Sequence, residues 1–427
     1  MKHLAPTIFR AFACAGGACP DSCCRAGWEI VPDEETLKLY EKLPGEAGAR
    51  VRAGIVPAKA FPLRGRCHRA SHGSPMTDEV DSRAAEPDEP LLRQDEHRVC
   101  VLLDPDGLCH VQKRFGHEAL CRVCREYPRF HREFGNLTEH GVSLSCPTAY
   151  ALAVGAPLQW ERWEDEAPIV PNELDPDAYL RLRRGRELAL ELLGREELPL
   201  WQRIALVRRL AAAMQNAPEK LVRHDYALRL RRWEVLGIRD QGSGIRVGSG
   251  FSVCRDVDLP SARRSVGAVI GRPASARRSV GALIGRPASA RRTVGAVIGR
   301  PASALDRLAE RFAGLEILSP AWGEKLARFR TLLRKDAGTH CAPLPGLWET
   351  DSPERYARYL AYSLYKYWLD ALDDGNLIGR VERSVSMTLL GLALDRAFPD
   401  EGPHLQRISR EIEHCEENLA ALLEAQA

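Results

Sequence analysis

The distribution of cysteine constrains this chain more than any other feature of its sequence. Ten of its thirteen cysteines lie before Tyr150, and nine of these fall into one dense group and three later groups, with Cys67 between them. The dense group contains Cys14, Cys19, Cys23 and Cys24. The later groups are Cys100 with Cys109, Cys121 with Cys124, and Cys146 alone. In a reducing cytosol such clustering favours metal or redox chemistry over disulfides, so the first third of the chain is predicted to gather its thiols around a metal group.

The spacing of these groups suits a thiolate-ligated metal ion or iron–sulfur cluster. Ligand sulfurs must converge to about 2.3 Å from a zinc ion. Close pairs supply two ligands at small loop-closure cost, and distant pairs then close the site. Turn-forming residues support this convergence, namely Gly16, Gly17, Pro20 and Asp21 in the first group and the DPDG segment at 104–107 in the second. Eight or more thiols exceed one tetrahedral site, so two sites, or one cluster with spare thiols, both fit the pattern.

The cysteine pattern also admits other interpretations. Buried inert thiols and redox disulfides are the alternatives to a metal site. A CxxxCxxC motif for radical chemistry is not supported, because Ala26 occupies the position of its third cysteine. The histidines of this region lack a fixed short spacing from another ligand, except for His110 beside Cys109, and are predicted to be surface residues: His68, His72, His97, His110 and His117. Three scattered cysteines are predicted to be ordinary small apolar residues: Cys254, Cys341 and Cys415.

The composition is that of a globular protein without a membrane span. Hydrophobic residues make up 44% of the 427 residues and charged residues 28%. No apolar run approaches the roughly 20 residues that a spanning helix needs. Arg10 interrupts the apolar stretch near the start, so we expect no signal peptide and a cytoplasmic protein. Nine arginines and no Asp, Glu or Lys lie in 261–304, so the remainder of the chain is acidic and the net charge of +3 does not by itself indicate nucleic-acid binding.

The second half of the chain has the hydrophobic pattern of amphipathic helices. From about Pro176, Leu, Ile and Ala recur at three- and four-residue spacings in AYLRLRRGRELALELL and LWQRIALVRRLAAAMQ. The pattern returns after Ala304 and includes the tyrosine-rich segment SPERYARYLAYSLYKYWLDAL. No long Val/Ile alternation predicts a large sheet. The fold is therefore predicted to be mainly α, with a Cys-rich N-terminal metal or Fe–S domain followed by a helical domain that carries a low-complexity repeat insertion.

The predicted organisation has four parts. A Cys-rich cluster-binding domain covers 1–155 and contains a polar insertion at 68–90. A helical region covers 156–240. The Gly/Arg-rich segment 241–304 contains three near-identical 14-residue repeats of the type SARRSVGAVIGRPA and is predicted to be a flexible insertion, with a basic tether for an acidic partner as the alternative. A C-terminal helical region covers 305–427.

Four blocks of the N-terminal third resemble the flagellin lysine-N-methylase family. They lie in FACAGGACPDSCCRAGWEI, CVLLDPDGLCHVQKRFGHEALCRVCREYPRF and TEHGVSLSCPTAYAL. The family pattern runs C-x4-C-x3-CC-x3-W-x-I, then C-x2-L-x3-GLC-x-[IV], then C-x2-YPR, then E-x3-[ST]-LSCP, and all four blocks appear in this order. The resemblance covers about 7–155 and extends more loosely to the tyrosine-rich helix at 355–375.

The resemblance assigns roles to individual residues of this chain. It implies metal ligands at eight cysteines: Cys14, Cys19, Cys23, Cys24, Cys100, Cys109, Cys124 and Cys146. Cys67 and Cys121 fall outside the family pattern and are treated as non-ligands. The flanking residues that match the family are expected to pack around the site and to turn the chain: Trp28, Tyr127, Pro128 and Arg129.

The resemblance also implies an activity, although the residues do not locate it. It implies methyl transfer to lysine ε-amines of flagellin, with S-adenosylmethionine as donor and with a 4Fe–4S-type iron–sulfur cluster or zinc as the cysteine-bound group. No nucleic-acid partner is expected. The alternative is a metal-binding or Fe–S electron-transfer protein without methylase activity. Glu139 could bind or deprotonate lysine, but a structural role is favoured. A row of aromatic residues could hold a cation, with helix packing again favoured: Tyr356, Tyr359, Tyr362, Tyr365, Tyr367 and Trp368.

Overall fold

The computed structural model describes residues 1–57, 89–167, 174–215, 301–336 and 350–424, together with the backbone of 69–70. Several sequence expectations lie outside these described residues: most of the polar insertion at 68–90, the 14-residue repeats, Cys67, Cys254, Cys341, His68 and His72. Met1–Val222 and Ala302–Ala427 belong to one compact unit, so a separate Cys-rich domain is not confirmed. Among the described helices, none combines the length and the apolar character needed to span a membrane.

Most strand residues lie in one four-stranded sheet. The strands, in chain order, are β1 Lys2–Pro6, β2 Glu29–Ile30, β3 Ile55–Pro57, β4 Arg69–Ala70, β5 Pro90–Leu92, β6 Arg129–Phe134, β7 Leu137–Val142 and β8 Trp160–Glu164. The main sheet has the order β6-β7-β1-β8. Within it β1 runs parallel to β7 and antiparallel to β8, and β6 is antiparallel to β7. Two small ladders pair β2 with β4 and β3 with β5.

This sheet is the main element that the sequence pattern did not predict. Its β6 and β7 strands form a hairpin around Gly135, whose positive φ of 61° suits a tight turn. The strand sequences RFHREF and WERWE carry aromatic and charged residues where Val and Ile are usual. Phe130 and Arg132, two residues apart and therefore on the same face of β6, are both buried. The alternation of buried and exposed residues that is typical of a strand is present, but it is formed by residue types that also occur on the surfaces of helices.

Short helices and turns connect the strands of the N-terminal region. The helices are α1 Ile8–Ala11, α2 Glu34–Glu41, α3 Gly45–Ala53, α4 His110–Phe115, α5 Arg122–Glu126 and α6 Pro147–Gly155. Single 3₁₀ turns occur at Gly16–Ala18, Cys23–Arg25 and His117–Ala119. Asp33 caps α2 by accepting the backbone N–H of Thr36 at 2.8 Å, and it also accepts the N–H of Arg122 at 2.9 Å. The same carboxylate therefore ties together the starts of α2 and α5.

Longer helices dominate the rest of the described chain. They are α7 Pro176–Leu193, α8 Leu200–Gln215, α9 Pro301–Ala313, α10 Pro320–Asp336, α11 Pro353–Tyr367, α12 Ala371–Asp374, α13 Leu377–Ala397, α14 His404–Ile412 and α15 Glu416–Glu424, with 3₁₀ turns at Trp368–Asp370 and Pro399–Glu401. They occupy the segments whose periodicity predicts helices. The prediction of a mainly α fold is therefore confirmed.

The tyrosine-rich helix α11 is packed into the core against the sheet. Its aromatic residues are each at most 2% exposed: Tyr356, Tyr359, Tyr362, Tyr365, Tyr367 and the following Trp368. The hydroxyl of Tyr362 donates to the carbonyl of Val142 at 2.8 Å, and that of Tyr365 donates to the carbonyl of His140 at 2.6 Å. The favoured structural role of these rings therefore agrees with their burial.

Helix α14 joins the C-terminal helices to the cysteine-containing turns. The side-chain amide of Gln406 donates to the carbonyl of Ser145 at 2.6 Å. The guanidinium of Arg410 donates to the carbonyls of Asp21 and Ser22 at 3.1 and 3.2 Å. Residues almost four hundred positions apart in the chain therefore hold the first cysteine group in place.

Candidate metal centre

Six cysteines from four separate segments line one cavity in the N-terminal region. They are Cys23, Cys24, Cys100, Cys109, Cys121 and Cys124. The cavity has a volume of about 70 Å³. One water molecule requires about 10–15 Å³, so the cavity has room for a larger group. Its remaining wall is mainly apolar and includes Trp28, Tyr40, Leu102 and Tyr127. The structure therefore brings together thiols that are up to about a hundred residues apart.

The adjacent pair Cys23 and Cys24 is positioned by a single 3₁₀ turn. Ser22 begins this turn, and its hydroxyl oxygen accepts the backbone N–H of Cys24 at 3.3 Å. The carbonyl of Cys24 in turn accepts the N–H of Cys100 at 2.9 Å. The contacts of Arg410 with this segment hold the turn from the outside. Two consecutive thiols can therefore reach the same cavity.

Cys100 and Cys109 reach the cavity because the DPDG segment between them forms the predicted turn. The N–H of Gly107 donates to the carbonyl of Asp104 at 2.9 Å, and the N–H of Asp104 donates to the carbonyl of Leu108 at 2.8 Å. Gly107 has a φ of 79°, which suits glycine. The chain reverses here, and Cys109 lies beside Leu103 in an isolated antiparallel bridge.

Helix N-termini hold several of the cysteines. Cys109, Cys121 and Cys146 are the N-cap residues of α4, α5 and α6. Free backbone N–H groups at a helix start favour the thiolate form. Burial nevertheless raises the pKa of Cys146, with the N–H groups of Ala149 and Thr148 opposing this effect. These positions can stabilise thiolate once a cation offsets the cost of burial.

The thiols around the cavity share hydrogen bonds. The thiol of Cys24 hydrogen-bonds to the sulfurs of Cys109 and Cys23, and this lowers the pKa of each of them. The corresponding hydrogen bonds raise the pKa of Cys24. Burial raises the pKa of Cys100 to about 12. A bound metal would replace these shared protons, because metal ligation requires deprotonated sulfurs.

Cys121 and Cys124 form a second hydrogen-bonded pair. The hydrogen bond from Cys124 lowers the pKa of Cys121, and it raises the pKa of Cys124. Cys121 is 1% exposed. The resemblance had left it out of the ligand set, yet its sulfur lines the same cavity as that of Cys124. The CxxC spacing was a sequence signal that could have included it.

The remaining assigned cysteines lie apart from this cavity. Cys14 is exposed, Cys19 is partly buried and Cys146 is buried, and none of the three lines the cavity. They are close enough to one another for negative charge on Cys19 and Cys14 to raise the pKa of Cys146, after the larger effect of burial. The eight cysteines assigned from the resemblance are thus divided by the structure into five at the cavity and three elsewhere.

The arrangement of described side chains is not that of a closed single-ion site. Within the part of the chain that the structure describes, no group of three or more His, Cys, Asp or Glu side chains meets the geometry of a metal site. His97 and His117 are exposed, as predicted. His110 is buried, contrary to the prediction, because it lies against Arg50 and Asp104 at 3.1 and 3.4 Å. The donors that face the cavity are therefore thiols.

Comparison with curated proteins identifies relatives of this arrangement of cysteines. The flagellar biosynthetic protein FliU of Salmonella muenchen is 31% identical over 142 residues, which are 33% of this chain and 70% of that protein. The lysine-N-methylase of Salmonella typhimurium is 30% identical over 142 residues, which are 33% of this chain and 30% of that protein. The lysine-N-methylase of Salmonella choleraesuis has the same identity and coverage.

This chain belongs to the flagellin lysine-N-methylase family. The match spans most of FliU but less than a third of the two lysine-N-methylases. No family model and no solved structure matches the chain. Family membership therefore rests on similarity over a third of the sequence.

This family member has a second cavity between β8, α7 and α11. Its volume is about 420 Å³, within the range of about 300–1,000 Å³ that is usual for small-molecule sites. Side chains of both charges line it, among them Arg162, Arg358, Glu187 and Glu191, beside the indole of Trp160. Sequence patterns gave no signal for this cavity, because its walls come from separate segments that only the fold brings together.

Glu139, the acid of the family motif, forms an ion pair in the core. Its carboxylate binds the guanidinium of Arg186 in a bidentate manner, with one contact of 2.8 Å. Glu139 is 2% exposed and Arg186 is 3% exposed. Arg186 also donates to the carbonyl of Tyr365 at 3.1 Å. The contacts favour the structural role, because this pair links β7 to α7 and α11.

Proposed function

We propose that this chain is a cytoplasmic protein-lysine N-methyltransferase that uses S-adenosylmethionine to methylate lysine ε-amines of flagellin. The observation that carries the proposal is the family match, which covers 70% of FliU. The lysine-N-methylase relatives supply the reaction class, and the flagellar relative supplies the substrate assembly. A cavity of small-molecule size between β8, α7 and α11 supports an enzyme rather than a purely structural protein.

The proposed reaction is a displacement at the methyl carbon of the sulfonium. The lone pair of a neutral lysine amine forms the new N–C bond while the C–S bond breaks. The bonding electrons remain on sulfur and give S-adenosylhomocysteine, and one proton leaves the nitrogen. The protein must therefore hold the amine in its neutral form and align nitrogen, carbon and sulfur.

The second cavity is the proposed location of this transfer. Carboxylates such as Glu187 and Glu191 suit the ammonium groups of lysine and of the donor, and Arg162 and Arg358 suit the donor's carboxylate. The face of Trp160 offers a favourable contact for a sulfonium. Partial desolvation by the surrounding protein raises the pKa of Glu191, which would favour uptake of the proton that leaves the methylated nitrogen. This assignment combines size, charge and aromatic character.

The thiol-lined cavity is proposed to hold an iron–sulfur cluster, with zinc as the alternative occupant. The residues that would hold it are the six cavity cysteines: Cys23, Cys24, Cys100, Cys109, Cys121 and Cys124. The donor set fits, because thiolates are the usual ligands of these groups and the wall around them is apolar. When bound, the cluster would tie four chain segments together and supply a redox-active centre. Sulfurs spread around a cavity suit a multi-atom cluster better than one ion.

A transfer assay tests the enzymatic proposal directly. The full chain is purified anaerobically and incubated with purified flagellin and S-adenosylmethionine that carries a labelled methyl group. We expect label on flagellin lysine side chains, identified by mass spectrometry of the digested substrate. Absence of label from a folded, metal-loaded sample would contradict the proposal.

A matched pair of variants tests the second cavity. Glu191 lines it, whereas Glu197, a similarly exposed acid in the same segment, does not. We expect E191Q to lower kcat/KM by roughly 10-fold or more, because it removes both a charged contact and the proposed proton acceptor. E197Q should leave the kinetics unchanged. If both variants had the same kinetics, the proposal that methyl transfer takes place in this cavity would be contradicted.

One observation favours the alternative function. Six thiols around an apolar cavity are also the composition expected of an Fe–S electron-transfer protein. That alternative predicts a cluster that is reduced and reoxidised reversibly, with no label transferred to flagellin. The transfer assay and a redox titration of the same sample separate the two functions.

A further inference from the structure

Trp28 lies in the wall of the thiol-lined cavity, and its indole N–H has no hydrogen-bond partner among the described residues. Its side chain is 8% exposed. The indole Nε1–H is buried and makes no hydrogen bond to any of the described residues. Buried N–H groups are nearly always hydrogen-bonded in folded proteins, because leaving one unmade costs its full desolvation. An acceptor that is supplied from outside the protein would satisfy this donor.

The indole ring is fixed by contacts on several sides. Tyr127 meets it edge-on, with ring centroids 4.9 Å apart and an interplanar angle of 65°. The guanidinium of Arg410 lies 5.5 Å from the ring centroid. The carbonyl of Trp28 accepts a hydrogen bond from Gln94. A ring held by these contacts keeps its N–H in one direction.

Sulfur is the available acceptor at this wall. The same cavity is lined by six cysteine sulfurs, and ligand thiolates or inorganic sulfides accept hydrogen bonds. We propose that the Trp28 indole N–H donates a hydrogen bond to a sulfur of the cluster held in this cavity, and that this bond raises the cluster's reduction potential. The inference rests on the proposed function only for the presence of an iron–sulfur cluster.

The direction of the effect follows from charge. Reduction adds one electron to the cluster and makes its sulfurs more negative. A donor N–H stabilises the reduced form more than the oxidised form, so the potential rises. Packing by the indole ring alone predicts no such change. Trp28 would therefore be a positioning and tuning residue rather than a catalytic one.

Two tryptophan variants separate these possibilities. W28F removes the N–H and keeps an aromatic ring. Trp322 in α10 is the matched control, because it is 1% exposed, also has an indole N–H without a partner among the described residues, and does not line the cavity. The full chain and both variants are reconstituted anaerobically with iron and sulfide, and the midpoint potential is measured by titration. We expect a more negative potential for W28F and an unchanged potential for W322F.

The outcomes distinguish the inference from the proposed function. Equal potentials for the wild type and W28F at equal iron content would overturn the role of Trp28 while leaving the cluster in place. Failure of the wild type to bind iron would overturn the cluster and this inference with it. The methyl-transfer assay is independent of both results.

A measurement on the wild type tests the inference even if the W28F variant does not bind a cluster. The chain is prepared with ¹⁵N-labelled tryptophan, and the reduced cluster is examined by pulsed EPR. A hydrogen bond to the cluster transmits spin density to the indole nitrogen, so a ¹⁵N coupling is expected, and it should persist in W322F. A reduced cluster without this coupling would contradict the inference.

Discussion

Gly17 and Gly107 lie against each other where the turns of the first two cysteine groups meet. A Cβ at Gly17 would be 2.6 Å from the carbonyl oxygen of Asp106, and a Cβ at Gly107 would be 3.1 Å from the carbonyl oxygen of Gly17. Real Cβ atoms do not approach carbonyl oxygens as closely as the first of these distances. The two glycines therefore allow the backbones of two distant cysteine motifs to pack together.

The first prediction concerns this contact. Gly17→Ala should separate the two turns and lower the free energy of unfolding by about 1–3 kcal/mol, because the added methyl overpacks a backbone contact. Bound iron should fall with it. Gly155→Ala is the control, since a Cβ there meets nothing within 4 Å. Urea unfolding and iron analysis give the measurement, and equal behaviour of the two variants would count against the contact.

The second prediction asks which cysteines hold the cluster. Cys121→Ser and Cys124→Ser should each lose most of the bound iron, because both sulfurs line the cavity. Cys14→Ser, at an exposed position outside the cavity, should retain it. Iron and sulfide analysis after identical anaerobic reconstitution is the measurement. If Cys14→Ser lost iron and Cys121→Ser kept it, the ligand set implied by the family pattern would be preferred over the cavity set.

The third prediction concerns the link between α14 and the first cysteine group. Arg410→Gln removes charged hydrogen bonds to the carbonyls of Asp21 and Ser22 and should cost about 1.5–3 kcal/mol of stability. It should also slow reconstitution, because the turn that carries Cys23 and Cys24 is no longer held. Arg334→Gln is the control, since its side chain is 61% exposed. Denaturant unfolding and the rate of appearance of cluster absorbance report the two effects.

The fourth prediction tests the role of Glu139. Glu139→Ala leaves Arg186 buried without its partner and should destabilise the fold by about 3–5 kcal/mol. Joint replacement by Glu139→Leu and Arg186→Met should recover most of the loss, because no unpaired charge remains. Calorimetric or urea unfolding measures both. A double variant that is stable but has lost methyl transfer would instead indicate that Glu139 acts in the reaction.

The fifth prediction is a pH dependence of stability at the sheet. Burial, followed by the neighbouring His3 and His131, lowers the pKa of His140 from 6.5 to about 4. Between these two values the unfolded chain binds the proton and the native chain does not, so stability falls as the pH is lowered through this window. The loss should be about 1–2 kcal/mol, because the ring is partly exposed.

The control for this pH effect is His140→Gln, which can keep a hydrogen bond to His3 but does not titrate. Urea unfolding at several pH values between about 4 and 7 should show a smaller slope for the variant than for the wild type. If the wild type and the variant showed the same dependence of stability on pH, the group that titrates in this window would be a residue other than His140.

Local patterns were sufficient for the helices and for part of the thiol arrangement. The spacing of Leu, Ile and Ala in 176–215 and 353–397 predicts helices, because it encodes one buried face of a 3.6-residue repeat. The DPDG segment predicts the turn that brings Cys109 back toward Cys100. The family pattern supplied five of the six cavity cysteines. The sheet was missed, since Phe, Trp, Arg and Glu alternate in β6 and β8 without a Val/Ile signal.

The sequence by itself determined that thiols would gather, that the body would be helical and which family the chain resembles. Only the tertiary structure decided that Cys121 faces the cavity while Cys14, Cys19 and Cys146 do not. It also decided that Glu139 pairs with Arg186, and that Trp28, whose indole N–H has no partner among the described residues, lines the cavity. The physical reason is that spacing along the chain fixes local turns and helix faces, whereas the meeting of distant side chains depends on how those elements pack together.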